Sequence, residues 1–268
     1  MYRDKTVLIT GGSSGLGLAL AQAYLGQGAR VILLARCEKK LAMAKGGLER
    51  KYSSESVITV DADVGDYEAL RMRLEPVLAL QNQLDIVINN AGILREGYFE
   101  NLCVSDFKQM VDVNLFGCLH ITKLTLPYLK RSQGRIINIA SMAGLVGSFG
   151  FSAYCSSKYA LIGLTEVLRI ELKPQGVSVH LVCPPEFKTP MVEALDSYRT
   201  RENRVNTHMI PRVDVGTVVN DIFIGIKRNK FRIITGSKTR ILAFLLQHLP
   251  KLGRHLVDRQ IMRVYLGP

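Results

Sequence analysis

Thr10-Gly11-Gly12-Ser13-Ser14-Gly15-Leu16-Gly17 stands between an apolar run, Lys5 to Thr10, and a segment from Leu16 to Gln27 in which Leu16, Ala19, Leu20 and Ala23 recur at helical spacing. The order is strand, glycine-rich turn, helix. Backbone amides at a helix N-terminus, with no side chains at Gly11, Gly15 and Gly17, let the main chain approach a pyrophosphate closely. An ordinary glycine-rich turn uses the same residues, and three glycines alone do not separate the two readings. The strand before and the helix after favour the dinucleotide turn. No Gly-Lys-Ser/Thr follows, which excludes a phosphate-transferring P-loop.

The same unit repeats outward from this turn. Residues 29–35 contain Val-Ile-Leu-Leu-Ala without polar alternation, as a parallel strand covered on both faces requires. Further strands are expected at 56–61, 84–89, 134–140, 177–182 and 231–235, with helices at 38–51, 66–80, 104–131, 153–173 and 214–229. Seven strands alternating with helices imply a parallel α/β sheet wrapped on both faces. A TIM barrel would show the same alternation, so the motifs must decide for the doubly wound (Rossmann) form. Residues 1–236 read as one dinucleotide-binding and catalytic domain, and 237–268 as a C-terminal helical extension.

Composition bounds the function classes. The chain has 268 residues, 47% of them hydrophobic and 22% charged, which suits a folded domain with a sizeable core and excludes disorder as the main state. No apolar stretch approaches the roughly 20 residues of a membrane-spanning helix, and Met1 to Lys5 lead into the first strand without a signal-like apolar run. A cytoplasmic location is therefore expected. The net charge of +12 invites a polyanion partner, but residues 227–268 hold ten Lys or Arg against the single acid Asp258. The first 226 residues carry only +3, so the main body has no need of a nucleic acid. Cys37, Cys103, Cys118, Cys155 and Cys183 form no Cys-x-x-Cys pair and read as small buried hydrophobes in a reducing compartment. His120, His180, His208, His248 and His255 show no ligand spacing, so no metal is expected.

Four motifs downstream of the turn carry a resemblance. Asn89-Asn90-Ala91-Gly92 ends the fourth strand, Asn114 lies in the next helix, Ser141 follows the fifth strand, and Tyr154-Cys155-Ser156-Ser157-Lys158 opens a long helix. Together with Thr-Gly-x-x-x-Gly-x-Gly they resemble the short-chain dehydrogenase/reductase family over about residues 4–235. The resemblance implies a nicotinamide cofactor on Gly11, Ser13, Ser14, Gly15, Leu16 and Gly17, an adenine edge at Asp63 and Val64, and a backbone wall at Asn90, Ala91 and Gly92. An acid at the end of the second strand would bond a ribose 2′-hydroxyl. Here the strand ends Leu34-Ala35-Arg36, so a guanidinium stands where a 2′-phosphate would lie, and NADP(H) is the expected cofactor. Lys40, one turn on, offers a second charge. A solvated surface arginine is the plainer reading of Arg36, and its position weighs against that.

Tyr154 and Lys158, four apart, share one helix face. A neighbouring ammonium stabilises a phenolate, so a lowered tyrosine pKa is expected. By resemblance, Tyr154 exchanges the proton, Ser141 holds the substrate oxygen, Lys158 binds the nicotinamide ribose as well as tuning Tyr154, and Asn114 anchors a water leading from Lys158. After the sixth strand comes Cys183-Pro184-Pro185-Glu186-Phe187-Lys188-Thr189, where most of the family has Pro-Gly. Pro184, Phe187 and Thr189 stand where the family's nicotinamide contacts lie, although the second proline removes a backbone donor. The Pro-Pro-acid-x-x-Thr-Pro pattern also resembles the 3-ketodihydrosphingosine reductases.

Residues 190–213 lack a clear period and read, within a loop near 186–213, as a mobile substrate lid. Met142, Ala143, Leu145, Val146, Phe149, Phe151 and Met191 supply an apolar lining that favours a hydrophobic ketone or alcohol. The tail from Ser237 divides near Pro250 into two amphipathic helices. It has three candidate uses: packing across the pocket or a partner subunit, lying on an anionic membrane surface, and, ranked last, binding nucleic acid. The whole reads as an NADP(H)-dependent oxidoreductase acting on a carbonyl or secondary alcohol. The resemblance further implies a homodimer or homotetramer joined through helices 104–131 and 153–173. The reading from another class is an NADP(H)-binding sensor or scaffold without turnover, against which the intact Asn114, Ser141, Tyr154 and Lys158 speak.

Overall fold

The computed structural model describes residues 2–81 and 83–266. Seven strands, β1 (Thr6–Thr10), β2 (Arg30–Ala35), β3 (Val57–Asp61), β4 (Ile86–Asn89), β5 (Arg135–Ile139), β6 (Ser178–Cys183) and β7 (Arg232–Ile234), form one sheet in the order β3-β2-β1-β4-β5-β6-β7, and every pairing is parallel. This is the doubly wound arrangement, and a barrel is excluded. The chain runs outward from β1 to β3, then returns to the other side of β1 at β4. The carboxyl ends of β1 and β4 therefore flank the switch point, where such sheets leave a crevice.

Alternate side chains of each strand feed two apolar layers. Val7, Ile9, Val31, Leu33, Ile86 and Ile88 pack under α1 (Gly15–Leu25), α2 (Glu38–Glu49) and α9 (Val215–Lys227). Leu8, Ile32, Leu34, Val87 and Ile136 pack under α3 (Tyr67–Ala79), α5 (Gly117–Ser132) and the end of α6 (Ser152–Leu172). Burial on both faces explains the unbroken apolar runs.

The helix expected over 104–131 is interrupted. α4 (Val104–Val111) passes into a π turn, Asp112–Phe116, before α5 begins. The widened turn holds Asn114, which is buried. Residues 190–213, which show no clear period in sequence, contain α7 (Pro190–Asp196) and α8 (Arg201–Thr207), started by Thr189 and Thr200, whose hydroxyls accept from Val192 N and Asn203 N. Short helices of two turns leave too few apolar positions to show a period. The tail forms α10 (Ser237–His248) and α11 (Pro250–Leu266), and α11 packs on α8. Cys118, Cys155 and Cys183 are buried as expected, whereas Cys37 and Cys103 lie on the surface just ahead of α2 and α4, where no apolar layer covers them.

Candidate active site

The turn after β1 is tied to the exit of β4 by one residue. The Thr10 hydroxyl accepts from Asn90 N and Ala91 N, each at 2.9 Å, and Asn90 Nδ2 donates to Thr10 O at 2.8 Å. Gly11 takes φ +64°, a conformation glycine adopts without strain. Gly17 is needed for space: a Cβ there would overlap the Gly11 carbonyl oxygen and stand 2.7 Å from Asn90 Nδ2. Turn and strand exit thus close on each other with no room for side chains.

Two cavities open from this junction. The larger, about 610 Å³, is bordered by Ser14, Gly15 and Leu16 on one side and by Ser141, Tyr154 and Lys158 on the other. The smaller, about 210 Å³, is bordered by Ser13, Arg36, Lys40, Asp63 and Val64. Gly11, Ser14, Ala91 and Gly92 border both. A dinucleotide needs two adjoining compartments joined by a bare backbone, and the residues present fit it.

Within the larger cavity, α6 carries Tyr154 and Lys158 on one face. Lys158 Nζ lies 5.7 Å from the centre of the Tyr154 ring and donates to Ile139 O at 2.9 Å. Ser141, in extended backbone after β5, accepts from Ala143 N at 3.1 Å and acts to lower the Tyr154 phenol's pKa. The lowered tyrosine pKa is not what this geometry produces. Burial pushes the phenol up to about 12, against the lowering effect of Ser141, and the Cys155 thiol and Glu186 carboxylate push the same way as burial. Burial likewise brings Lys158 down to about 8. Taking both groups out of water outweighs their effect on each other.

Asn114 borders neither cavity but stands directly behind. Its amide donates to Ile93 O and to Ser157 Oγ, each at 3.0 Å, and its Oδ1 accepts from Ile93 N at 2.8 Å. A Cβ on Gly92 would meet Asn114 Oδ1 at 3.1 Å and Lys158 Nζ at 3.7 Å, so these two groups face each other across that glycine. Beneath them a buried chain runs from Asn89 Nδ2 to Asn138 Oδ1 (2.8 Å) and from Asn138 Nδ2 to Thr165 Oγ1 (2.9 Å). Asn138 was not singled out from the sequence. A polar residue in an otherwise apolar strand was the available signal.

Arg36 and Asp63, expected to serve a 2′-phosphate and an adenine edge, face each other as an exposed pair at 3.5 Å. Lys40 borders the same cavity without being drawn into that pair. Pro184, Phe187 and Thr189 all reach the larger cavity, with Pro184 O accepting from Met142 N at 2.9 Å and Thr189 Cγ2 lying 3.4 Å from the Cβ position of Gly15. Of the expected substrate lining, Met142, Ala143, Leu145, Val146, Phe151 and Met191 border the cavity. Phe149 does not: its ring turns edge-on to Tyr98, and its amide is held by Asn206 Oδ1.

One further group escaped the sequence reading. Arg199 has a fully buried side chain, bound to Glu186 at 2.7 Å, Asp196 at 3.2 Å and Thr207 Oγ1 at 2.8 Å; Arg212 binds the same two carboxylates. One guanidinium thus fastens α7 and α8 to the loop after β6. Charged residues in a segment without period gave no sign of burial. The tail, for which packing across the pocket was one expected use, borders the larger cavity through Leu242, Leu246, Arg254 and Val257. Among the described residues, no three His, Cys, Asp or Glu side chains converge as metal ligands, and no helix is long and apolar enough to cross a membrane.

A doubly wound sheet with a bare glycine junction at its switch point, beside a Ser-Tyr-Lys cluster, is the arrangement of a dinucleotide-binding protein of the short-chain dehydrogenase class. Residues 5–200 match the short chain dehydrogenase family, and the chain belongs to it. It is 36% identical over 203 residues to the 3-ketodihydrosphingosine reductase of Mus musculus, covering 74% of this chain and 61% of that protein. It is 36% identical over 231 residues to a 3-dehydrosphinganine reductase of Arabidopsis thaliana, covering 85% and 68%. The chain spans about 60% of the length of the vertebrate relatives it matches. Among solved structures it resembles a short-chain dehydrogenase/reductase of Burkholderia phymatum in complex with NAD, with TM-score 0.82, 24% identity and coverage of 94% and 96%. Another, from Sphingobium yanoikuyae in complex with NADPH, gives TM-score 0.75, 26% identity and coverage of 86% and 87%.

Proposed function

We propose that the protein is an NADP(H)-dependent reductase of a lipophilic ketone, working in reverse on the matching secondary alcohol. The observation that carries this reading is the convergence of Ser141, Tyr154 and Lys158 on an apolar cavity that shares its wall with the glycine junction. Gly11 to Gly17 would hold the pyrophosphate, Asp63, Val64 and Asn90 to Gly92 the adenosine, and Pro184, Phe187 and Thr189 the nicotinamide end. Arg36 and Lys40 flank the cavity that would receive a 2′-phosphate, and the absence of an acid at the end of β2 supports NADP(H) over NAD(H).

The bound nicotinamide supplies a hydride to the carbonyl carbon. Ser141 Oγ orients the carbonyl oxygen by a hydrogen bond, and Tyr154 Oη gives it a proton. With its pKa held near 12, Tyr154 is neutral at physiological pH and carries the proton that reduction consumes. Lys158 Nζ stands behind it, in reach of the ribose side of the junction. Asn114, held by Ile93 and Ser157 and facing Lys158 across Gly92, fixes the position through which a replacement proton reaches the lysine.

Met142, Leu145, Val146, Phe151, Leu242 and Leu246 give the cavity a substantial apolar wall, which supports a lipophilic substrate, and the two relatives named for a ketone of this kind point the same way. Exposed Phe116, Val167 and Ile170 on α5's approach and on α6 support pairing of two copies through these helices. A cytoplasmic location accords with this chemistry. The test is NADPH and NADH consumption with ketones of graded chain length. The expected result is turnover that rises with chain length, prefers NADPH and falls at least a thousandfold in Tyr154→Phe. Undiminished turnover in that variant would overturn the mechanism.

A further inference from the structure

The tail helix α10 has two different faces. Thr239 and Ala243 are buried, and Leu242 and Leu246 border the large cavity. On the opposite side Ile241, Phe244, Leu245 and Leu249 stand exposed to 65%, 59%, 45% and 49%. Their spacing of three and four residues places them on one stripe. His248 stacks on Phe244 within that stripe, with ring centres 4.1 Å apart. A globular surface rarely leaves four large apolar side chains adjacent without a partner.

Charge identifies the partner. Lys238 and Arg240 lie on α10 itself, while Lys251, Arg259 and Arg263 follow on α11. Asp258 is the only acid in residues 227–268, which hold ten Lys or Arg. A second copy of this stripe would bring two strongly positive segments face to face. An anionic lipid surface supplies both an apolar interior for the stripe and counter-charge for its flanks. We propose that the outer stripe of α10, with the basic residues of α10 and α11, docks the protein on an anionic membrane surface. The inner face of the same helix pair walls the cavity, and Gly253 lets α11 come within 2.6 Å of Leu246 Cδ2 at the position of a missing Cβ. A docked α10–α11 pair therefore stands between bilayer and cavity. On the reading of a lipophilic ketone, substrate reaches Tyr154 from the membrane rather than from water. The docking itself does not depend on that reading.

The test is cosedimentation of the full chain with vesicles of neutral lipid alone and with about 30% anionic lipid, at about 0.1 M and about 0.5 M salt. The expected result is binding to anionic vesicles only, weakened at least tenfold by the higher salt. Ile241→Ser combined with Phe244→Ser should lower binding at least tenfold, and so should Lys238→Glu combined with Arg240→Glu. Neither pair touches the catalytic cluster, so NADPH consumption with a short water-soluble ketone stays at the unsubstituted level and reports an intact fold. No binding to anionic vesicles overturns the proposal, as does binding that the substitutions leave unchanged. Dimerisation abolished by Ile241→Ser and Phe244→Ser, read by sedimentation velocity, overturns it in favour of a second copy. Because vesicle binding is read without turnover, its failure is separable from a failure of the reductase reading.

Discussion

Replacing Lys158 with Met should make the protein more stable while removing its activity. The Lys158 side chain is buried, and its surroundings bring its pKa from 10.5 to about 8. At about 1.36 kcal/mol per tenfold change in proton affinity, that fall means the folded state gives up about 3 kcal/mol of stability at pH 7 to keep the ammonium charged. Methionine fills similar volume without the charge. It also forfeits the hydrogen bond to Ile139 O, whose loss from a buried carbonyl costs about 1–2 kcal/mol. The net expectation is a gain of about 1–2 kcal/mol at pH 7. The sign with pH follows from proton binding: between about 8 and 10.5 the unfolded chain holds the lysine proton and the folded one does not, so stability from this group rises with pH across that window. Urea unfolding at pH 7, 8, 9 and 10 measures both effects. The native protein should gain about 2 kcal/mol from pH 8 to 10 relative to Lys158→Met, so the two curves should cross near pH 9 and the native protein should be the more stable at the upper end. A variant less stable than the native protein at pH 7, with a parallel pH profile, would refute the argument that this lysine is held at the expense of stability.

Arg36→Asp should shift preference from NADPH toward NADH by about tenfold to a hundredfold, the range for losing a charge-assisted contact and gaining a repulsion; equal KM ratios before and after would remove Arg36 from cofactor choice. Arg199→Met breaks a buried ion pair with Glu186 and Asp196, leaving Arg212 as their remaining partner. A loss of about 3 kcal/mol in unfolding free energy is expected, with KM for NADPH raised more than kcat is lowered, because the loop from Pro184 to Thr189 loses its anchor. Unchanged stability would show that Arg212 alone satisfies both carboxylates.

The fold was legible because parallel strands buried on both faces leave unbroken apolar runs, and because the turn from Thr10 to Gly17 marks the switch point that a barrel lacks. The meeting of Ser141, Tyr154 and Lys158 at one cavity was legible for a similar reason: Ser141 follows a strand and Tyr154 and Lys158 share a helix face, so local spacing fixes most of their geometry. Electrostatics was not. An ammonium four residues from a phenol suggested a lowered tyrosine pKa, but proton affinity in this site is set by how much water the whole fold excludes, and burial by residues distant in sequence reversed the direction. Arg199 escaped notice on the same ground. Its carboxylate partners, Glu186 and Asp196, come from separate turns, and nothing in the segment from Pro190 to Val213 signals that a charged side chain closes there. The π turn at Asn114 also escaped, since the apolar spacing on either side continues as if one helix ran through.

The division of labour along the chain bears on how far the family's chemistry extends here. The family match ends at residue 200, after the glycine junction, the Ser-Tyr-Lys cluster and the loop from Pro184 to Thr189. The walls that set the shape of the far end of the cavity, Met209, Ile210, Leu242, Leu246 and Val257, all come later. On the proposed reading, hydride transfer would rest on the part of the chain shared with the family, whereas the length and polarity of the substrate would rest on α10, α11 and the segment before α9. The concentration of charge in the tail acquires a physical meaning from this. A segment that must present apolar side chains both to the cavity and outward gains solubility from charge at its flanks, and the nearly balanced body leaves Arg36 as a local feature of the cofactor cavity rather than part of a general positive field. Exchanging 237–266 for the corresponding segment of a relative should accordingly change which ketone is reduced and leave the NADPH preference in place.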